Sequence, residues 1–154
     1  MTEEITAEQT ARLLAEAAQE VLETMFFAVF DDEAEFSEAE LGEKSGAEVR
    51  FSGAWSGSLQ IRLAASTAAA IAADFLGEEP GELQPLQVDY VLAELVNMVC
   101  GAALGRIDRD GLFDLEPPRR ISGGEFGLQP GAMFSLAPLD SGPVEICFAR
   151  NKSA

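Results

Sequence analysis

The sequence contains no histidine, and this absence removes several kinds of catalytic site. Most serine and cysteine hydrolases use a histidine base, and histidine is the most common metal ligand. The two cysteines, Cys100 and Cys147, are too few for a disulfide framework and lack the spacing of a metal site. We therefore expect a reducing, cytoplasmic environment, with no metal or cofactor site in the chain itself.

Basic residues are also scarce in this sequence. Ten lysines and arginines face 27 acidic residues, which gives a net charge of -17. A protein this acidic repels phosphate backbones and anionic lipid surfaces, so we expect neither nucleic acid nor a membrane as partner. The first ten residues lack the basic start of a signal peptide, and no apolar run has the length expected of a spanning helix.

The remaining composition is typical of a globular protein. The chain has 154 residues, of which 47% are hydrophobic, and this predicts a single domain over 1–154. Thr6 and Gln9 fit a helix-capping box, and apolar residues then recur at helical spacing to about Val29, which predicts a long first helix. The acidic stretch that follows, from Asp31 to Glu43, is expected to be an exposed connector.

The rest of the chain predicts an antiparallel sheet with helices laid on it, an α+β fold. The predicted elements are a hairpin over 47–64, a helix opened by Ser66 or Thr67 and stopped by Gly77, a third helix from Pro85 to about Gly105, a loop over 106–126, and two strands over 127–139 and 143–150 joined by a turn at 140–142. The last strand, PVEICFAR, is apolar enough to pair with a second subunit.

The third helix has one apolar side and one unusual side. Its predicted buried stripe contains Val88, Leu92, Leu95, Val99 and Ala103. The opposite side contains Tyr90, Ala93, Glu94, Asn97, Gly101 and Leu104, and Glu94 is the only charged residue between Tyr90 and Gly105. Asn and Gly are weak helix formers, and a solvated face usually carries Lys, Glu or Gln. We therefore expect this side to be covered. The cover is another part of the chain, a second subunit or another protein.

Three segments carry a resemblance to a known family. The helix motif Glu94-x-x-Asn97, continued as NMVCGAAL, is similar to the active motif of the CheC/CheX/FliY chemotaxis phosphatases. The hairpin FSGAWSGSLQIRLA, the helix end FLGEEP and the segment PRRISG resemble the CheX branch in order and spacing. The likeness covers roughly residues 10–150. The first helix, EVLETMFF, has no Asn three residues after a Glu, so one active helix per chain is expected.

The resemblance implies a CheC-like fold and a phosphatase acting on the aspartyl phosphate of a CheY-like response regulator, in chemotaxis or related two-component signalling. It assigns Asn97 to the attacking water and Glu94 to an ion pair with the regulator's lysine. Tyr90, Ala93, Gly101 and Leu104 are then expected to contact the partner. Mg²⁺ is expected from the regulator, and the chain is expected to form a homodimer. The alternative is a non-catalytic module that binds the regulator or serves as a dimeric scaffold.

The segment DRDGLFDLE, from Asp108 to Glu116, hints at a calcium loop. Its order of acidic residues and the position of its glycine do not match an EF-hand, so a turn-rich loop is the preferred interpretation. Cys100 lies beside the motif without a base and is interpreted as a small helix residue. Trp55 is interpreted as a core residue, with a contact at the tip of the hairpin as the alternative.

Overall fold

The computed structural model describes residues 6–151. The helices and strands are α1 (Ala7–Met25), α2 (Glu38–Leu41), β1 (Lys44–Gly53), β2 (Gly57–Ala64), α3 (Ala65–Leu76), α4 (Pro85–Ile107), β3 (Phe113–Leu115), β4 (Arg119–Ser122), β5 (Met133–Leu139) and β6 (Gly142–Arg150). Short 3-10 turns precede α4, at Pro80–Glu82, and follow β4, at Gly123–Glu125.

The strands form one six-stranded sheet in which every pair is antiparallel. The order is β3, β1, β2, β6, β5, and β4 pairs with β1 on the same side as β3. The predicted α+β architecture is confirmed. The prediction of a loop over 106–126 is wrong, because β3 and β4 are strands held by their long-range pairing with β1.

The main core lies between the sheet and the three long helices. Alternate residues of β1 and β2, such as Val49 and Leu59, point into it and are fully buried. Leu14 and Leu22 enter it from α1, and Leu95 enters it from α4. This alternation follows from the period of two in a strand, which places every second side chain on the same sheet face.

The first helix ends earlier than the predicted Val29. Its last residue is Met25, and Phe26 turns into the core, where its ring stacks on Phe75 with centroids 4.6 Å apart. Phe27 then adopts a left-handed φ of 58°. The Thr6–Gln9 capping box at the start of α1 is present as predicted. The burial of one aromatic ring therefore stops a helix whose periodicity continues further.

The second predicted helix is α3, and its end agrees with the prediction. Gly77 closes it with a left-handed φ of 70°. Its start does not depend on Ser66 or Thr67, since α3 begins at Ala65 without a side-chain cap. Thr67 is buried and its hydroxyl donates to the carbonyl of Ser141 at 3.0 Å, which ties α3 to the turn between β5 and β6.

The last strand cannot pair with a second subunit as predicted. β6 lies inside the sheet, with β2 on one side and β5 on the other, so both of its hydrogen-bonding edges are occupied. β5 is the neighbouring edge strand, and its described outer contact is a single bridge between Phe30 and Leu139. The strand order, which the sequence does not specify, decides which strand is at the edge.

The face of the sheet opposite the helices carries a buried polar network. The side chain of Glu48 is fully buried and accepts hydrogen bonds from Gln60 at 2.7 Å and Arg119 at 2.8 Å. Burial raises the pKa of Glu48, but these bonds and the positive charges nearby outweigh it and leave the pKa below its ordinary value. The carboxamide of Gln60 accepts from the backbone of Gly127, so the network holds the segment after β4 against the sheet.

One helix of the described part of the chain is long and apolar enough to cross a membrane. This helix is α4, with 23 residues, and the sequence-based expectation that no such run exists is therefore wrong. The helix packs against α1, α3 and β1, and 44% of its most apolar window is buried there. Packing between these layers accounts for the apolar residues on the buried side of the helix.

Candidate functional site

The site is built on α4. Pro85 occupies the first turn, where its missing N–H costs no hydrogen bond, and Gln84 and Gln87 form a reciprocal capping box. Leu92, Leu95, Val99 and Ala103 of the predicted stripe are buried, while Val88 is only partly buried. The stripe thus fixes the rotation of the helix and determines which side is turned outward.

The outward side carries the residues that the motif singles out. Glu94 and Asn97 are both partly exposed, and Tyr90, one turn earlier, is 55% exposed. The prediction that Glu94 and Asn97 are accessible is confirmed. Residues three apart on a helix have Cβ atoms roughly 5–6 Å apart, so the carboxylate and the carboxamide are neighbours. Within residues 6–151 neither side chain has a hydrogen-bond or ion-pair partner.

Two glycines continue this exposed face toward the end of the helix. Gly101 and Gly105 are exposed, and a Cβ atom built at either would meet nothing within 4 Å. Packing within the described chain therefore does not require glycine at these positions. Mid-helix glycine costs about 1 kcal/mol relative to alanine. A face kept small at a cost in stability, with no neighbour of its own, suits the close approach of another molecule.

The assignment of Leu104 to this face is wrong. Leu104 is only 3% exposed and belongs to the main core, together with Val96 and Cys100. These three residues recur at intervals of four and form a second buried line along α4. Because α4 packs against the sheet as well as against helices, its buried sector is wider than one stripe. Ala93 lies at the border and is half-buried.

The two flanks of the exposed face differ in charge. Near the start of α4 an open cleft of about 710 Å³ is lined by the carboxylates of Asp74, Glu78, Glu79 and Glu82. At the border with β4, Arg120 pairs with Asp89 of α4, with a closest N–O distance of 2.9 Å. The face is therefore bordered by an acidic cleft and by an exposed arginine.

The end of α4 is fastened to the hairpin between β1 and β2. The indole N–H of Trp55 donates to one carboxylate oxygen of Asp108 at 3.0 Å, and the backbone of Gly111 donates to the other at 3.0 Å. Trp55 is partly buried against the core, as preferred from the sequence. Asp108 is thus engaged in structural bonds, and no cluster of three potential metal ligands occurs in the described residues.

Cys100 lies on α4 beside the motif but is fully buried. Burial raises the pKa of its thiol to about 12, so the thiol stays protonated at neutral pH. This agrees with its interpretation as a small packing residue. The carboxylate of Glu94 and the carboxamide of Asn97, unlike this thiol, are accessible to an outside molecule.

Arg120 and Asp89 were not assigned a role from the sequence. Arg120 lies in the PRRISG segment, but its partner is 31 residues away, and nothing in either local pattern predicts the pair. The only local indication was the PRRISG segment, which resembles a loop of the CheX branch. Its position beside α4 follows only from the pairing of β4 with β1.

The chain matches one known protein family. Residues 45–135 match the family described as chemotaxis phosphatase CheX, and this range includes the hairpin, α3 and all of α4. A comparison with curated protein sequences finds no significant match.

The fold is similar to several solved structures. One is the CheX–CheY–BeF3–Mg²⁺ complex of Borrelia burgdorferi, with a TM-score of 0.68, 19% identity, and coverage of 92% of this chain and 97% of that chain. CheX of Desulfovibrio desulfuricans has a TM-score of 0.70 and 18% identity, with coverage of 93% and 99%. CheX of Vibrio vulnificus has a TM-score of 0.68 and 22% identity, with coverage of 96% and 99%.

Proposed function

The chain belongs to the CheX family of chemotaxis phosphatases, and from this premise we propose that it hydrolyses the aspartyl phosphate of a CheY-like response regulator. The observation that carries the proposal is the exposed face of α4. Glu94 and Asn97 are adjacent, accessible and without described partners, and the glycines beside them leave room for a second protein.

Asn97 is proposed to position the attacking water. Hydrolysis of an acyl phosphate needs a water in line with the bond between phosphorus and the leaving oxygen, and catalysis depends mostly on positioning and charge stabilisation. A carboxamide both donates and accepts hydrogen bonds, so it can orient water without acting as an acid or base. The absence of histidine agrees with a mechanism that needs no base from this chain.

Glu94 is proposed to pair with the active-site lysine of the regulator. No described cation of this chain pairs with Glu94, so its carboxylate is available to a partner. An ion pair that becomes desolvated in an interface fixes the docking register. With Glu94 held in this way, Asn97 lies one turn further along the same helix and reaches the phosphorylated side chain.

The Mg²⁺ ion is proposed to come from the regulator rather than from this chain. The Borrelia burgdorferi structure contains CheX, CheY, BeF3 and Mg²⁺ together. Within residues 6–151 of this chain no group of acidic or cysteine side chains has the arrangement of a metal site. Such an ion stabilises charge on the phosphoryl group, while the residues of α4 provide position.

Release of phosphate from a regulator tests this function. Purified CheY-type regulators from the same organism are phosphorylated with a small-molecule phosphodonor, and loss of phosphate is followed with and without this chain. We expect faster loss for at least one regulator. Binding without acceleration supports the non-catalytic module, and dimerisation without regulator binding supports the scaffold. Either result contradicts the phosphatase proposal.

A single phosphatase domain over 1–154, a cytoplasmic location and a homodimer complete the proposal. The edge strand β5, with Phe134 and Leu136 exposed at 55% and 53%, is a better candidate for the dimer contact than the internal β6. Light scattering at tens of micromolar protein measures the mass. A monomeric mass contradicts the dimer without affecting the proposed reaction.

A further inference from the structure

The strand β4 directs two consecutive arginines to opposite faces of the sheet. Arg119 pairs in register with Glu48, and Arg120 pairs in register with Ala47. Ala47 is buried in the core beneath the helices, whereas Glu48 belongs to the network on the other face. Because neighbouring side chains of a strand alternate between faces, Arg120 lies on the helix side.

Arg119 holds β4 in this orientation. Its guanidinium bonds to Glu48 at 2.8 Å and to Glu125 at 3.3 Å, and both contacts lie on the face away from the helices. Pairing with Arg119 also contributes to the lowered pKa of Glu48, whose carboxylate is therefore charged at neutral pH. The buried carboxylate is shared by Arg119, Arg50 and Gln60. Loss of the Arg119 contact would leave the buried charge less well compensated, so rotation of β4 that would turn Arg120 away from α4 is disfavoured.

Arg120 is poorly explained as an internal tie. Its side chain is 61% exposed, and its partner Asp89 is 33% exposed. Exposed ion pairs of this kind contribute little to stability, because solvent screens the two charges. Asp89 directly precedes Tyr90, and Ala93 lies one turn further on the same side of α4. The guanidinium of Arg120 is thus at the border of the proposed docking face, beside the N-terminal half of α4.

Docking on this face has an electrostatic problem that Arg120 can offset. The chain carries a net charge of -17, and the cleft at the start of α4 is lined by four carboxylates. The phosphorylated site of a regulator combines a phosphoryl group with the carboxylates that bind its metal, and the Mg²⁺ ion and the lysine of that site offset only part of this negative charge. Two acidic surfaces repel each other, and a cation at the rim reduces the repulsion and orients the encounter.

We propose that Arg120 is a docking residue that binds a carboxylate at the rim of the regulator's phosphorylated site. This inference rests on the proposed function and adds a second point of contact to the α4 motif. A rim carboxylate is favoured over the phosphoryl group because Glu94 and Asn97 occupy the middle of the face, while Arg120 stands at its edge. On binding, the guanidinium gives up part of its contact with Asp89 for the carboxylate of the partner.

Two substitutions separate docking from a structural role. If Arg120 binds the partner, Arg120→Gln weakens the complex, while Asp89→Asn strengthens it by releasing Arg120 from its competitor. If the pair only ties β4 to α4, both substitutions break the same bond and change binding in the same direction. Arg12→Gln on the exposed side of α1 and Asp114→Asn on β3 are matched controls, because they make the same charge changes away from the docking face at residues without an ion pair in the described part of the chain.

The experiment measures the affinity of the full chain for a CheY-type regulator carrying BeF3⁻ and Mg²⁺, and for the same regulator unmodified. We expect Arg120→Gln to raise Kd about five-fold for both forms at low salt, and less at high salt. We expect Asp89→Asn to lower Kd and the two controls to match wild type.

Several outcomes overturn the proposal. Equal Kd values for Arg120→Gln and wild type exclude a docking role, and parallel losses in Arg120→Gln and Asp89→Asn assign the pair to structure. A loss limited to the BeF3⁻ form assigns Arg120 to the phosphoryl group instead. Normal turnover by wild type together with any of these results leaves the phosphatase function standing. A wild-type chain that binds neither form contradicts both proposals.

Discussion

The two long helices, α1 and α4, bury one side each against the same core but expose very different surfaces. The exposed side of α1, which has 19 residues, carries charged and amide side chains, namely Glu8, Arg12, Glu16, Gln19, Glu20 and Glu23. The exposed side of α4, which has 23 residues, carries Tyr90, Glu94, Asn97, Gly101 and Gly105. Both helices are longer than most in globular proteins.

The difference in composition indicates that the two surfaces suit different environments. Long charged side chains favour helix formation and remain solvated, so the surface of α1 is suited to water. The surface of α4 contains poor helix formers and has almost no charge, and no described part of the chain packs on Gly101 or Gly105. We propose that its composition suits a molecule that docks there. Matched substitutions on the two helices therefore separate function from helix stability.

The largest expected difference is between the two amides. Asn97→Ala should lower the rate of regulator dephosphorylation by roughly a hundredfold or more, because it removes the group that orients the water. Gln19→Ala, on the exposed side of α1, should leave the rate unchanged. Single-turnover loss of phosphate measures both rates, and thermal unfolding checks that the fold is intact. Dephosphorylation by Asn97→Ala at the wild-type rate would remove Asn97 from the mechanism.

The second difference is between two glutamates. Glu94→Ala should weaken regulator binding by about 2 kcal/mol, which is roughly 30-fold in Kd, because the lysine of the partner is left without its counter-charge. Glu16→Ala removes the same charge from the exposed side of α1. It should leave Kd within about two-fold of wild type, because an exposed charge outside the interface contributes little to binding. Calorimetric titration with a BeF3⁻-activated regulator provides the comparison. Equal affinities of the two variants would contradict the proposed ion pair.

The smallest expected effect concerns Gly101 and has opposite signs for stability and binding. Gly101→Ala should raise the free energy of unfolding by about 1 kcal/mol, because alanine is the better helix former and its methyl group meets open space. The same methyl group should weaken regulator binding a few-fold by holding the partner away. Urea unfolding and titration measure the two effects, with Gln19→Ala as the α1 control. A stabilised variant with unchanged affinity would show that the partner does not approach Gly101 closely.

The sequence by itself determined the elements whose residues carry their own periodicity. α4 begins at Pro85 as predicted, and the alternation of Val49 with its neighbours is enough to predict the β1–β2 hairpin. The same periodicity predicted that Glu94 and Asn97 face outward. With 3.6 residues per turn, both lie on the side of the helix opposite the buried stripe of Leu92, Leu95 and Val99. These are local properties, since each residue needs only its near neighbours in the chain.

The tertiary structure decided everything that depends on contacts between distant segments. β3 and β4 are strands because β1 provides hydrogen-bonding partners for stretches too short to stand alone. Leu104 is buried because α4 packs against helices and the sheet together, which covers a second line of its residues, and β6 is internal because β5 pairs with its other edge. Arg120 meets Asp89 for the same reason, since only strand pairing brings β4 beside the helix. Side-chain periodicity specifies which residues share a face, but only the packing of the elements determines which face remains exposed.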